Sequence, residues 1–163
     1  MGAHEKVVET AAERELVITR EYDVSARFLY EAWTKPEHIK QWFGPVGWPV
    51  TMAEMDFRVG GRWQFAMTGP SGEANQPFGG KYLEIVPNQK LVFENSFEAP
   101  GAEKMVMSVT FEEKKDGKTL LTWRTTFSSR AVRDDYKSKG MVEGTNSGLD
   151  QLGDVAKKLA AKH

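Results

Sequence analysis

Apolar and polar residues alternate along much of the chain, and this period of two predicts β-strands. The clearest case surrounds Gly60 and Gly61, where one strand-like run gives way to a second in which Trp63, Phe65 and Met67 share one face. Further runs bring the predicted strands to seven, at residues 15–22, 50–57, 62–67, 78–86, 91–97, 104–112 and 119–127. The breaks between the later runs have hairpin length and turn residues, so we expect these strands to pair antiparallel.

Two short helices are predicted after the first strand. Ser25 is a suitable N-cap, and apolar residues recur at helical spacing over residues 25–34. Pro36 lies near the first turn of a second helix over residues 35–43, where its missing N–H group costs nothing.

The C-terminal part of the chain has a different pattern. From about residue 133 to 161, apolar residues recur every three or four positions, which predicts one long helix that is irregular near Gly140 and Gly144. The order of elements predicts an α+β fold in which a curved antiparallel sheet wraps around this helix. We expect residues 1–12 to form a flexible leader and residues 13–163 to form a single domain.

Composition narrows the function classes. The 22 basic and 23 acidic residues give a net charge of −1, so no overall field favours nucleic acid as a partner. The absence of cysteine excludes disulfides and thiolate chemistry and fits a reducing compartment. Residues 1–10 are polar and charged and lack the apolar segment of a signal peptide, and no apolar stretch reaches about 18 residues. We therefore expect a cytoplasmic protein that is not inserted in a membrane.

Large apolar side chains are numerous enough to predict an internal cavity. Methionine and aromatic walls suit flexible apolar or aromatic ligands. The candidate lining residues are Trp42, Phe43, Trp48, Met55, Phe57, Trp63, Phe65, Phe78, Tyr82, Phe93, Met105, Met107, Trp123, Met141 and Thr145. The alternative is that these side chains simply fill a packed core.

Candidate catalytic and metal-binding residues are few. His38 is the only histidine inside the predicted fold, so no histidine pair is available for a metal, and we predict no metal site. Its charged neighbours favour a surface position for His38 itself. If the aromatic residues beside Glu94 and Arg124 face inward, these two charged side chains face solvent. Glu54 likewise faces solvent if its neighbour Met55 faces inward. Asp56, Arg58 and Arg62 flank the glycine pair, and we expect them to form local ion pairs. The alternative is that they direct a charge at the polar end of a ligand. We predict no catalytic residues and no cofactor.

Four segments resemble a known family in the same order along the chain. Residues 22–45, 56–65, 80–93 and 117–122 are similar to bacterial domains akin to the C-terminal domain of the Hsp90 ATPase activator, within the START/Bet v 1-like superfamily. The resemblance implies a helix-grip fold, with seven antiparallel strands around the long C-terminal helix and a cavity often between them. Many relatives have a Gly-Trp pair at the start of the last helix, whereas residues 143–146 read Glu-Gly-Thr-Asn here.

Three functions follow from the residues and the resemblance together. The leading hypothesis is a protein that binds an apolar or aromatic small molecule in its cavity. The second is an interaction with an Hsp90-type chaperone, because the eukaryotic activator stimulates that chaperone. The third is an enzyme of the cyclase or hydrolase type that uses Tyr82, Glu54 or Arg124 inside the pocket. Fold analogy alone does not decide among them.

Overall fold

The computed structural model describes Thr10, residues 12–74 and residues 76–162. The predicted leader over residues 1–12 therefore lies almost wholly outside the described residues. Its last residue, Ala12, begins a short 3-10 turn, Ala12–Arg14.

The described part of the chain forms seven strands and four α-helices. In chain order these are β1 Glu15–Tyr22, α1 Ala26–Glu31, α2 Pro36–Trp42, β2 Val50–Met55, β3 Arg62–Met67, β4 Phe78–Val86, β5 Lys90–Phe97, β6 Met105–Glu113, β7 Thr119–Thr126, α3 Arg130–Ser138 and α4 Met141–Ala161. All seven predicted strands are confirmed, and their ends differ from the predicted ends by two residues or fewer.

The strands form one antiparallel sheet in the order β1-β7-β6-β5-β4-β3-β2. Five successive hairpins build the run from β2 to β7, and β1 then pairs with β7. The two short helices α1 and α2 carry the chain from β1 at one edge to β2 at the other. This arrangement is the helix-grip fold that the family resemblance implies, with α4 against the sheet.

The start of α1 shows how the sheet fixes a helix. Ser25 occupies the predicted N-cap position, but its side chain makes no capping hydrogen bond. Instead, the carboxylate of Glu113, at the end of β6, accepts a hydrogen bond of 2.8 Å from the backbone N–H of Ala26. A helix N-terminus has unpaired N–H groups and favours negative charge. The neighbouring strand therefore caps α1 in place of the local serine.

The C-terminal helical region differs from the prediction of one long helix. It is divided at Gly140, whose backbone angle φ is +89°, a left-handed conformation that favours glycine. The first part, α3, begins at Arg130 because the Ser129 hydroxyl caps it, accepting a hydrogen bond of 3.2 Å from the Val132 N–H. Gly144, where a second irregularity was predicted, lies inside the regular helix α4.

Helix α4 contributes one apolar stripe to the core. Its buried residues are Gly148, Leu149, Leu152, Gly153, Val155, Ala156 and Leu159. Tyr22, at the end of β1, is buried beside them and donates a hydrogen bond of 2.7 Å to the Leu149 carbonyl. This bond connects the sheet edge to the middle of α4.

Burial of two tyrosines predicts a loss of stability in alkali. Burial raises the pKa of both Tyr22 and Tyr82 well above the ordinary value. In the unfolded chain, tyrosine ionises near pH 10. Above that pH the unfolded state binds fewer protons than the folded state, so the free energy of unfolding falls, by up to about 1.4 kcal/mol per pH unit for each tyrosine.

Urea unfolding at a series of pH values between 8.5 and 11 measures this loss. Tyr22→Phe is expected to make the decline shallower, because its ring cannot ionise in either state. It is also expected to lower stability at neutral pH by about 1 kcal/mol, since the bond to Leu149 is lost. A slope identical to that of the unchanged protein would contradict the assignment to Tyr22.

Candidate functional site

A cavity of about 640 Å³ lies between the inner face of the sheet and the beginning of α4. The sheet supplies its wall from β3 to β7, and the end of α2 and the following loop supply another side. Its lining is mainly apolar and consists of Trp42, Phe43, Gly44, Pro45, Trp48, Met67, Phe78, Asn95, Phe97, Met105, Met107, Trp123, Asp135, Tyr136, Lys139, Gly140, Met141, Gly144, Thr145 and Gly148.

The structure brings nine of the fifteen sequence-predicted candidates together in this lining. These are Trp42, Phe43, Trp48, Phe78, Met105, Met107, Trp123, Met141 and Thr145. They come from six separate parts of the chain, and the fold is what makes them neighbours. Thr145 and Gly144 reach the cavity from the first turns of α4, within the segment that has no Gly-Trp pair.

The other six candidates lie outside the lining. Trp63, Phe65, Tyr82 and Phe93 are buried, and Met55 and Phe57 are partly buried and packed on the same core. The five aromatic members of this group form one chain of ring contacts behind the cavity wall, called the aromatic layer here: Phe57, Trp63, Phe65, Tyr82 and Phe93. Phe65, for instance, has its ring centroid 5.3 Å from that of Phe43 and 6.1 Å from that of Phe78, and both of these neighbours line the cavity.

Trp33 connects this layer to the cavity wall, because its ring packs against Phe93 of the layer and against rings that line the cavity. Its ring centroid is 4.6 Å from that of Trp42 and 5.1 Å from that of Trp123. Trp42 is further fixed because its indole N–H donates a hydrogen bond of 2.9 Å to the Ala32 carbonyl at the end of α1. Edge-to-face aromatic contacts of this kind favour one packing arrangement. The inner side of the cavity is therefore a preformed wall.

Helix α3 forms the outer side of the cavity and is more exposed. No residue of α3 is fully buried. Tyr136 holds the helix to the sheet by stacking on Phe127, with ring centroids 5.4 Å apart, and burial raises the pKa of its phenol. Asp135 and Lys139 form an exposed ion pair of 3.0 Å, and the hydrogen bond between them raises the pKa of Lys139. The charged lining residues therefore neutralise each other at the rim.

Asn95 is the buried polar side chain of the cavity wall. It lies on β5, is 9% exposed, and shares the inward face with Leu91 and Phe93. Its amide nitrogen contacts the Met107 sulfur at 3.8 Å, while its Oδ1 has no hydrogen-bond partner among the described residues. An unpaired buried carbonyl costs about 1–3 kcal/mol. Sequence reasoning missed Asn95, although the alternation along β5 places it on the inward face.

Charged residues of the sheet point away from the cavity, as the alternation predicts. Glu94 pairs with Lys104 at 3.4 Å, and Arg124 pairs with Glu15 at 3.0 Å. Glu54 is exposed on β2. The prediction that these three charged side chains face away from the cavity is therefore confirmed.

Other polar candidates also lie apart from the cavity. Asp56 and Arg58 form the expected local ion pair, with 2.8 Å between carboxylate oxygen and guanidinium nitrogen, and Arg62 is exposed. His38 is partly buried in a separate groove between α2 and the end of α4. Within the described ranges, no cluster of three histidine or acidic side chains has the arrangement of a metal site. None of the described helices is long and apolar enough to cross a membrane.

Three solved structures illustrate the similarity of this fold to known proteins. A protein from Nitrosomonas europaea is 25% identical, with a TM-score of 0.80, over 92% of this chain and 98% of that chain. A protein from Arthrobacter aurescens is 24% identical, with a TM-score of 0.82, over 94% of this chain and 91% of that chain. A protein from Mycobacterium smegmatis is 24% identical, with a TM-score of 0.79, over 98% of this chain and 99% of that chain. The last two similarities show the fold alone.

A comparison with protein families gives a more specific result. No curated protein matches the sequence significantly. By contrast, the family described as "Activator of Hsp90 ATPase homolog 1-like protein" matches residues 23–157. This range runs from the turn before α1 into α4, and it includes both walls of the cavity. The chain therefore belongs to the family of Activator of Hsp90 ATPase homolog 1-like proteins.

Proposed function

We propose that this protein binds an apolar or aromatic small molecule in the cavity between the sheet and α4. The observation that carries the proposal is a space of about 640 Å³ with mainly apolar walls. Binding sites for small molecules usually have volumes of about 300–1,000 Å³ and such walls. A ligand that replaces water there would bury apolar surface on both partners.

The two sides of the cavity suit a ligand of adaptable shape. The sheet side contributes aromatic rings that are held in place by the layer behind them. Met67, Met105, Met107 and Met141 also contribute to the wall, and methionine side chains adjust to the shape of their neighbours. We therefore expect ring stacking on the sheet side, together with tolerance of variation elsewhere in the ligand.

Binding is favoured over catalysis by the placement of the polar side chains. A cyclase or hydrolase would use Tyr82, Glu54 or Arg124, and all three lie off the cavity wall. The charged groups at the rim are already paired with each other. An acid and a base within reach of one bound molecule would be required for such chemistry.

The family description supports a second candidate function, an interaction with an Hsp90-type chaperone. This function predicts that adding the protein raises the ATP turnover of the chaperone. It does not require the cavity to be open, so a variant that fills the cavity separates the two functions.

Thr145→Phe is expected to lower the affinity for N-phenyl-1-naphthylamine at least tenfold. Thr145 lies on α4 and lines the cavity, so a phenylalanine there would occupy the space of the probe. The fluorescence of this uncharged aromatic probe increases when it leaves water, and a titration gives both the affinity and the stoichiometry. Lys157→Phe, at an exposed position of the same helix, is the matched control and is expected to bind like the unchanged protein.

The outcomes decide between the candidates. The cavity function is supported if the unchanged protein and Lys157→Phe each bind one probe per chain while Thr145→Phe binds it much more weakly. No binding by the unchanged protein, or equal binding by both variants, contradicts it. Stimulation of chaperone ATP turnover that survives Thr145→Phe supports the second function instead.

A further inference from the structure

Asn95 interrupts an otherwise apolar part of the cavity wall. Its cross-strand partner on β6 is Met105, and Met107 is its hydrogen-bond neighbour. The other cavity-lining residues that belong to strands are all apolar: Met67, Phe78, Phe97, Met105, Met107 and Trp123. Asn95 is thus the single polar position among the strand residues of this lining.

The fold uses little of the hydrogen-bonding capacity of Asn95. An asparagine amide has two donor hydrogens and an acceptor oxygen. Here the nitrogen faces only a thioether sulfur at 3.8 Å, a weak acceptor, and Oδ1 is covered without a donor among the described residues. The torsion between Cβ and the amide group of asparagine is broad. Rotation about it can therefore turn either end of the amide toward the cavity.

The electrostatics of the cavity restrict what can bind to this amide. Asp135 and Lys139 are the charged residues of the lining, and they pair with each other on the exposed side of α3. A charged group bound at Asn95 would lie among aromatic and methionine side chains without a counter-ion, which is unfavourable. A neutral polar group does not meet this difficulty.

We propose that the natural ligand is a neutral, mainly apolar molecule with a hydroxyl group that hydrogen-bonds to Asn95. A hydroxyl group donates to Oδ1 and can also accept from the amide nitrogen, so it matches the unpaired amide in either orientation. The apolar body of the ligand then lies against Phe78, Met105 and Trp123. This inference rests on the proposed binding function and assigns the chemical class of its ligand.

Two probes of similar shape test the inference. 4-Phenylphenol and 4-methylbiphenyl differ only in a hydroxyl group that is replaced by a methyl group. Displacement of N-phenyl-1-naphthylamine gives their relative affinities. The unchanged protein is expected to prefer the phenol about tenfold, because one otherwise unpaired polar group is satisfied. Asn95→Leu is expected to lose this preference through weaker binding of the phenol and unchanged or tighter binding of the methyl compound.

The methyl compound also reports whether the variant keeps its cavity. Asn95→Val provides a second, β-branched replacement suited to a strand. A phenol preference that persists in both variants, or equal affinities in the unchanged protein, overturns the role of Asn95 while the binding function stands. If the unchanged protein binds none of the three compounds, both the binding function and the inference are wrong.

Discussion

Replacing Gly80 with alanine is expected to destabilise the fold by more than about 3 kcal/mol. A Cβ atom at Gly80 would lie 2.2 Å from the backbone carbonyl oxygen of Glu94 on the neighbouring strand β5. Real Cβ atoms essentially never lie closer than 3.0 Å to another heavy atom. Because the obstacle is backbone, no side-chain rotation relieves it, and the two strands must move apart.

The movement would spread to the aromatic layer. The same Glu94 carbonyl accepts a hydrogen bond of 3.1 Å from the indole N–H of Trp63. The preceding glycine is equally confined, since a Cβ atom at Gly79 would lie 2.1 Å from the Trp63 carbonyl oxygen. Strand β4 is thus pressed between its two neighbours at the glycine pair. Separation of these strands would disturb the position of Trp63 as well.

Gly144→Ala is a matched control for this prediction. It is the same substitution, but in α4, where a Cβ atom would have its nearest neighbour 4.0 Å away at Pro45. We expect it to stabilise the protein by about 0.4–1 kcal/mol, because alanine restricts the unfolded chain without strain in the helix. Urea unfolding at 25 °C measures both variants. A Gly80→Ala protein as stable as the unchanged one would show that the strands separate at little cost.

The sheet was predictable because its signal is local and repeated. Alternation of residues such as Trp63 and Phe65 with polar neighbours identifies both the strand and its inward face. The glycine pair at residues 79–80 predicts a bend or a bulge in the sheet. The structure places the shift in register nearby, between Tyr82 and Glu84. The pair itself marks the close approach of backbones, a long-range property that one sequence does not contain.

The break at Gly140 was not predictable as a full interruption of the helix. The apolar spacing continues through this position, and a single glycine inside a helical pattern is often tolerated. What ends α3 is the left-handed conformation of Gly140, and what begins α3 is the Ser129 cap. Both depend on where the chain must turn to place α4 on the sheet.

The cavity lining was predictable only in part. Alternation shows which side chains of a strand point inward, but not which of them reach the cavity and which are packed behind its wall. Phe78 and Phe65 both point inward, yet Phe78 lines the cavity and Phe65 lies in the layer behind it. Curvature of the sheet and the position of the α2 end decide between these places. Asn95 was missed for a different reason, since a search for large apolar residues passes over an inward amide.

Phe65→Ala is expected to destabilise the protein by about 3–5 kcal/mol, the usual loss for removing a buried phenylalanine. Phe65 is 4% exposed. Its ring centroid lies 4.7 Å from that of Trp63 and 5.3 Å from that of Phe43. The substitution removes these contacts and leaves a void directly behind the cavity wall. Urea unfolding measures the loss, and Val46→Ala, at a position that is 77% exposed, is the control with an expected change within about 0.5 kcal/mol.

The same variant also tests whether the aromatic layer fixes the shape of the cavity. If Phe43 and Phe78 are held in place by Phe65, their rings gain freedom in Phe65→Ala, and the affinity for N-phenyl-1-naphthylamine changes together with the stability. If the two rings instead collapse into the void, the loss of stability is smaller, because the surroundings fill part of the space that the substitution creates. The affinity for the probe then falls as well, because the rings have left the cavity wall. A variant with nearly unchanged stability and unchanged affinity would contradict the packed layer, since neither the fold nor the wall would then depend on the buried ring.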